Sequence, residues 1–155
     1  MSSVKHDSHY RVEHSARVAA SAARVYDVLA DYRDGHPRIL PPQFRNLVVD
    51  RGGRGAGTQT HFEMKAFGRI QKFRHAVEEP EPGRVLLERD LDTDATTTFV
   101  VDPSGDGSQV TITTELPLKP GLAGRIERFL ATRYLLGIYR EEVKKLEQVA
   151  RQVAR

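Results

Sequence analysis

Cysteine is absent from the chain, which excludes disulfides, thiol nucleophiles and thiolate metal sites. No apolar run reaches membrane-spanning length. The first ten residues are polar, with His6, Asp7 and His9 among them, and they lack the apolar core of a signal peptide, so the cytoplasm is the expected compartment. Charge of one sign scarcely prevails: 24 Lys and Arg face 21 Asp and Glu, a net +3. The densest basic run is Arg69–Arg74, Arg-Ile-Gln-Lys-Phe-Arg, and it reads as a solvated face. Nucleic acid is therefore not an expected partner, because it calls for a clustered stripe with aromatic platforms. The glycine-rich run 52–57 lacks the Lys-Ser/Thr ending of a phosphate-binding loop and opens no helix. No serine stands in a nucleophile-elbow context, and no internal repeat is visible.

What is present fits one domain with a core, at 155 residues, 39% hydrophobic and 29% charged. Residues 1–9 form a flexible lead and residues 10–155 the domain. Tyr10–Val18 alternates as a half-buried strand, with Val12, His14, Ala16 and Val18 on one side. Ser21 is a good N-cap for a helix carrying Val25, Val28 and Leu29, because its hydroxyl can accept a free backbone N–H. The prolines between Asp31 and Pro42 leave room for one short helical turn and a loop. Strands follow at 44–50, 58–66, 69–79, 85–91, 95–102 and 109–116, separated by Gly, Pro and Asp turns. A long helix runs from about Gly121 to Arg155. Short hairpin links demand antiparallel pairing, so the fold class is α+β and a doubly wound dinucleotide site is not expected.

A two-residue turn at Phe67-Gly68 sets a register. Phe62 faces Phe73, Met64 faces Gln71, Thr60 faces His75 and Thr58 faces Val77, with Glu63 meeting Lys72 on the other side. In the last hairpin Val101 faces Val110, Phe99 faces Ile112 and Thr97 faces Thr114. The faces of 44–50 and 85–91 stay open. His75 and Gln71 then share the inner face with Phe62, Phe73 and Met64, while His14 belongs to the Val12 side. His61 and His75 point to opposite faces, and no carboxylate joins His75 with confident register, so no metal site is expected.

On the last helix, Leu122, Ile126, Phe129, Leu136, Val143, Leu146, Ala150 and Val153 form a stripe. Arg133 falls inside it. A guanidinium there needs an anion or several acceptors. Gly137 removes bulk beside Leu136, and 129–139 is apolar nearly all round, as a buried or partner-covered helix is.

Three stretches carry a family resemblance: 20–31 as a first helix, with Tyr26 where the family often has Trp; Glu79-Pro80-Glu81-Pro82-Gly83-Arg84 as a turn; and Gly121-Leu122-Ala123-Gly124-Arg125 opening the final helix. Together they make the chain, over about residues 10–152, resemble the START-like (SRPBCC) superfamily, in its polyketide cyclase/dehydratase-like and coenzyme Q-binding-like branch. The resemblance implies a helix-grip fold: a seven-stranded curved antiparallel sheet wrapped round a long C-terminal helix, with two short helices after the first strand. It also implies a hydrophobic-ligand cavity, and it brings no universal catalytic motif. His36-Pro37 replaces the Trp-Pro of many relatives, placing a titratable group at the presumed cavity lip.

The function expected is the binding of a small hydrophobic or amphipathic molecule, such as a lipid, isoprenoid or polyketide-like ring, for transport, storage or sensing. Phe62, Met64, Phe73, Phe99, Ile112, Ile126 and Phe129 would line the cavity; His75, Gln71 and Arg133 would orient the ligand, with His36 at the lip. The alternative is a polyketide cyclase, aromatase or dehydratase, with Arg133 steadying an enolate and His75 moving a proton. A Tyr or carboxylate beside His75 would favour it. A third reading is a structural or partner-binding module, supported by the apolar girth of 129–139; a homodimer and a transient membrane contact, neither placed on the chain, complete the partner expectations. No cofactor and no metal are expected.

Overall fold

A computed structural model describes residues 9–152. Of the expected lead at residues 1–9, the first eight lie outside the described residues, as does Val153 of the helical stripe, while His9 opens the first strand. The order is β1 His9–Val18, α1 Ala22–Ala30, α2 Gly35–Ile39, β2 Phe44–Arg51, β3 Gln59–Ala66, β4 Arg69–Glu81, β5 Val85–Asp90, β6 Thr96–Ser104, β7 Gly107–Pro117 and α3 Gly121–Gln152. The seven strands form one antiparallel sheet in the order β1-β7-β6-β5-β4-β3-β2. This is the helix-grip fold: the sheet curves round α3, and α1 and α2 close one end.

Both anticipated registers are present. Thr60 pairs with His75, Phe62 with Phe73 and Met64 with Gln71. Thr97, Phe99 and Val101 pair with Thr114, Ile112 and Val110. Phe67 and Gly68 both take left-handed backbone, at φ 51° and 74°, as a tight hairpin turn between right-twisted strands requires. Ser21 caps α1, its hydroxyl accepting from the Arg24 N–H. The turn expected at 80–83 begins later. β4 runs on to Glu81 with a register shift after Glu78, which lets Pro80 lie in a strand without donating to the ladder.

The motif that carried the resemblance is structural. Glu79 accepts from the Tyr26 hydroxyl at 2.6 Å and from the Ala56 N–H at 2.7 Å. It thus ties α1 and the glycine-rich loop to β4. Gly55, at φ 59°, leaves the space that Glu79 fills, since a Cβ there would lie 2.0 Å from its carboxylate. Arg84 holds Glu81 and Asp102.

The core lies between the sheet, α1 and the second half of α3, around Leu29, Ile39, Leu86, Ile112, Ile138 and Leu146. α3 packs through Leu135, Ile138, Tyr139, Glu142, Val143, Leu146, Val149 and Ala150, so the second half of the stripe read off the apolar residues, Val143, Leu146 and Ala150, is buried as expected. The first half of that stripe stands outside: Leu122, Ile126 and Phe129 are exposed. At 32 residues and ~1.5 Å per residue, α3 is roughly 48 Å long, more than the ~33 Å that a ten-residue strand can cover.

Candidate functional site

A hollow of ≈ 130 Å³ survives between the sheet and α3. That is close to the roughly 150 Å³ of an engineered apolar cavity that holds benzene. Phe62, Met64, Phe73, Phe99, Leu116 and Leu135 form most of its wall. One arc of the wall is polar: Tyr32, His36, His75, Glu88, Tyr139 and Glu142.

Glu88 is the hub. Leu86, Glu88 and Asp90 alternate inward along β5, and Asp90 pairs with His75 in the β4–β5 ladder. The Tyr32 hydroxyl, from the turn after α1, donates to Glu88 Oε1 at 2.6 Å. His36 Nε2 stands 3.4 Å from the same oxygen, and His75 Nδ1 stands 3.6 Å from Oε2. The other His36 nitrogen, Nδ1, lies 2.8 Å from the Leu29 carbonyl oxygen, which can only accept, so Nδ1 carries a hydrogen. Burial alone would raise the Glu88 carboxyl. The approach of His75, the His36 and His75 charges and the Tyr32 hydroxyl outweigh it and hold the group at about 2. Burial first, and Glu88 second, push the Tyr32 hydroxyl well up, so it stays a donor.

Glu142 is the opposite case. It is 5% exposed, and its carboxyl makes no hydrogen bond or ion pair among the described residues. Burial, then the Glu88 charge, then Glu141 raise it well above the carboxylate range, against Lys145. The shift favours its protonated form, and the side chain borders the hollow. Nearby, the Tyr139 and Thr114 hydroxyls are in contact, and Thr114 shares a 2.8 Å bond with Thr97.

Of the residues picked from sequence, Phe62, Met64, Phe73, Phe99, His75 and His36 border the hollow. His36 does so from inside a helix, buried and stacked on Tyr32 at 4.4 Å, rather than at a solvated lip. Gln71 does not border it: Met64 opposite is half-buried, but this end of the hairpin extends past the core and Gln71 is exposed. Ile112 is buried in the core instead. Ile126 and Phe129 are exposed because the sheet ends before the first half of α3. Arg133 is exposed too, its guanidinium 5.6 Å from the Phe129 ring centre. His14 is half-buried on β1, its imidazole pushed down by burial and then by Arg140. Glu63 faces Lys72 in register but accepts from Asn46 at 3.1 Å. Sequence reasoning missed Tyr32, Glu88, Tyr139 and Glu142. The signal for Glu88 was its alternation with Leu86. Glu142 lies four residues from Ile138 and from Leu146, so helical spacing marked it. Among the described residues no group of three His, Asp or Glu side chains is arranged to hold a metal ion, and no helix is long and apolar enough to cross a membrane.

The model of one protein family, described as polyketide cyclase/dehydrase and lipid transport, matches residues 9–151. The chain belongs to that family. The polyketide cyclase/dehydrase fold is shared with solved structures across nearly the whole length. The solution structure of the KanY protein is 24% identical, with TM-score 0.82, covering 92% of this chain and 98% of that one. The protein TTHA0849 from Thermus thermophilus is 21% identical, TM-score 0.78, covering 94% and 100%. The Zhui aromatase/cyclase from Streptomyces sp. R1128 is 20% identical, TM-score 0.76, covering 95% and 96%. No curated protein matches. At these identities the likeness is one of fold, so what this polyketide cyclase/dehydrase family member does has to be argued from its own cavity.

Proposed function

We propose that this chain is an enzyme that encloses a compact, carbonyl-bearing chain of the poly-ketone kind and cyclises or dehydrates it by proton transfer. One observation carries the reading: two carboxyl groups border one small apolar hollow with their proton affinities driven apart, Glu88 held at about 2 and Glu142 raised. Glu142 is then the group that can give a proton, while Glu88 stays an anion behind the His75 imidazole. A carboxyl beside His75 is also the feature that separates an enzyme from a passive binder.

The roles follow from donors and acceptors. In its neutral form, with the Nδ1 hydrogen turned to the acceptor-only Glu88 carboxylate, His75 presents Nε2 as a lone pair. That nitrogen takes a proton from the carbon between two carbonyls. The enolate carbon bonds to a second carbonyl carbon, and that oxygen takes its proton from Glu142. Loss of water then gives the unsaturated ring, and solvent returns the proton from His75 to Glu142. Phe62, 4.8 Å from the His75 ring, and Phe99, 5.8 Å from the His36 ring, keep water out.

A carrier that holds its ligand unchanged is the second reading, favoured by the apolar part of the wall, Phe62, Met64, Phe73, Phe99, Leu116 and Leu135. A linear triketone whose third carbonyl lies five carbons along from the carbon between the other two, so that the bond closes a six-membered ring, separates the two. Conversion with loss of one water, followed by mass spectrometry, should fall by roughly 100-fold or more in Glu142→Gln and in His75→Ala. Retained binding by native mass spectrometry without conversion would favour the carrier. Neither binding nor conversion across ketone and isoprenoid ligands would remove both readings.

A further inference from the structure

Among the described residues eight large apolar side chains are exposed, and six of them fall in two segments: Leu122, Ile126, Phe129 and Leu130 at the start of α3, and Phe67 and Ile70 at the β3–β4 tip. The segments meet. The Phe67 and Tyr134 rings are 5.4 Å apart, and the Tyr134 hydroxyl donates to the Lys65 carbonyl. Residues 65–74 carry four basic side chains and no acid; residues 119–134 carry four and one acid. Those two segments therefore hold seven net positive charges against three for the whole chain, and the remainder is net negative by four. Lys65, Arg69, Lys72, Arg125, Arg128 and Arg133 make no ion pair among the described residues. Phe67 is 67% exposed at the tip of its hairpin turn, where φ 51° is uncommon for a bulky side chain.

We propose that this face docks on an anionic lipid bilayer, with the first half of α3 lying at the headgroup level and Phe67 inserted beside it. An apolar helical face bordered by arginines is the composition of an interfacial helix. Unpaired basic side chains are drawn to an anionic leaflet. A second copy of the chain is the poorer occupant, because it would set seven positive charges against seven. The docked face adjoins the hollow: Met64 and Leu135, in its wall, are the chain neighbours of Lys65 and Tyr134. An apolar molecule dissolved in the membrane would reach the cavity from that side, whether or not it is then converted.

Co-flotation with vesicles tests this. The full chain should float with phosphatidylcholine vesicles containing a third phosphatidylglycerol, not with pure phosphatidylcholine, and added salt should release it. Ile126→Asp/Phe129→Asp should abolish flotation. Arg125→Glu should weaken it roughly fivefold or more, and Arg133→Glu likewise. Val48→Asp, at an exposed apolar residue outside the patch, should leave it unchanged. These positions are on the surface, and unaltered circular dichroism checks the fold. No flotation of the wild type, or equal flotation of the patch variants, would overturn the proposal. So would a wild-type dimer in sedimentation that Ile126→Asp/Phe129→Asp turns to monomer without any vesicle binding.

Discussion

Replacing Glu142 by Gln should stabilise the protein, and increasingly so as pH rises. In the unfolded chain this carboxyl ionises near its ordinary value of 4.5, whereas in the fold burial and the Glu88 charge keep it protonated well above that. Between the two values the folded state holds a proton that the unfolded state has released. Stability therefore falls with pH across that window, by about 1.4 kcal/mol for each pH unit. The penalty is absent below about pH 4.5 and stops growing once the buried carboxyl ionises. Glutamine keeps the shape and removes the proton. Any fixed gain or loss from its amide is the same at every pH, so the slope is the signal. A chain of this length shifts by ~2–4 °C for each kcal/mol. The Tm difference between Glu142→Gln and wild type should thus widen by about 3–6 °C for each pH unit above about 4.5 until the buried carboxyl ionises, read by scanning calorimetry, and run level below about pH 4.5. Parallel Tm curves from pH 4.5 to 8 would mean that Glu142 is an ordinary ionised carboxylate, and the proton donor of the proposed reaction would be lost with it.

Glu88 acts at the other end of the scale. Held at about 2 in the fold against an ordinary 4.5, it contributes stability present above about pH 4.5 and lost as pH falls through 2, about 3 kcal/mol in all. Glu88→Gln should flatten the acid limb of the Tm curve while lowering its plateau, because Tyr32, His36 and His75 lose their shared anion; an unchanged acid limb would refute this. Arg133→Leu should leave ligand affinity within ~0.5 kcal/mol of wild type, as for other surface substitutions. A tenfold loss by titration calorimetry would return the guanidinium to the cavity.

How far the fold was legible follows from which signals are local. Turn chemistry and alternation are local, and they placed every strand and both hairpin registers, since a one-residue slip would have set Phe62 and Phe99 in water. The site divides on the same line. Phe62, Phe73 and His75 were found because their hairpin has a short turn from which to count. Glu88 was not, because Pro80-Glu81-Pro82-Gly83 hides a register shift between β4 and β5, so the phase of β5 could not be carried across. Tyr32 could not be placed from chain spacing, since its partner is 56 residues away.

α3 shows why apolar periodicity alone misassigned the rest. Two phases coexist on this helix. One, Leu122-Ile126-Phe129, is purely apolar and faces outward at the end beyond the sheet; the other, through Leu135, Ile138, Tyr139, Glu142 and Leu146, carries a carboxyl and faces the core. A reading that ranks positions by hydrophobicity joins the first to the apolar part of the second, Val143, Leu146 and Ala150, and passes over Glu142. Yet a carboxyl in the middle of a packed seam costs about 1–3 kcal/mol when no partner satisfies it, so a binding or catalytic role is the better explanation of its presence than packing. The converse holds for the outer phase, where Leu, Ile and Phe exposed in one patch bury nothing within the described chain and call for an external surface to cover them. The polar break in an inner stripe and the apolar stretch on an outer one are thus the same kind of signal. Each marks a place where this sequence departs from what folding alone requires.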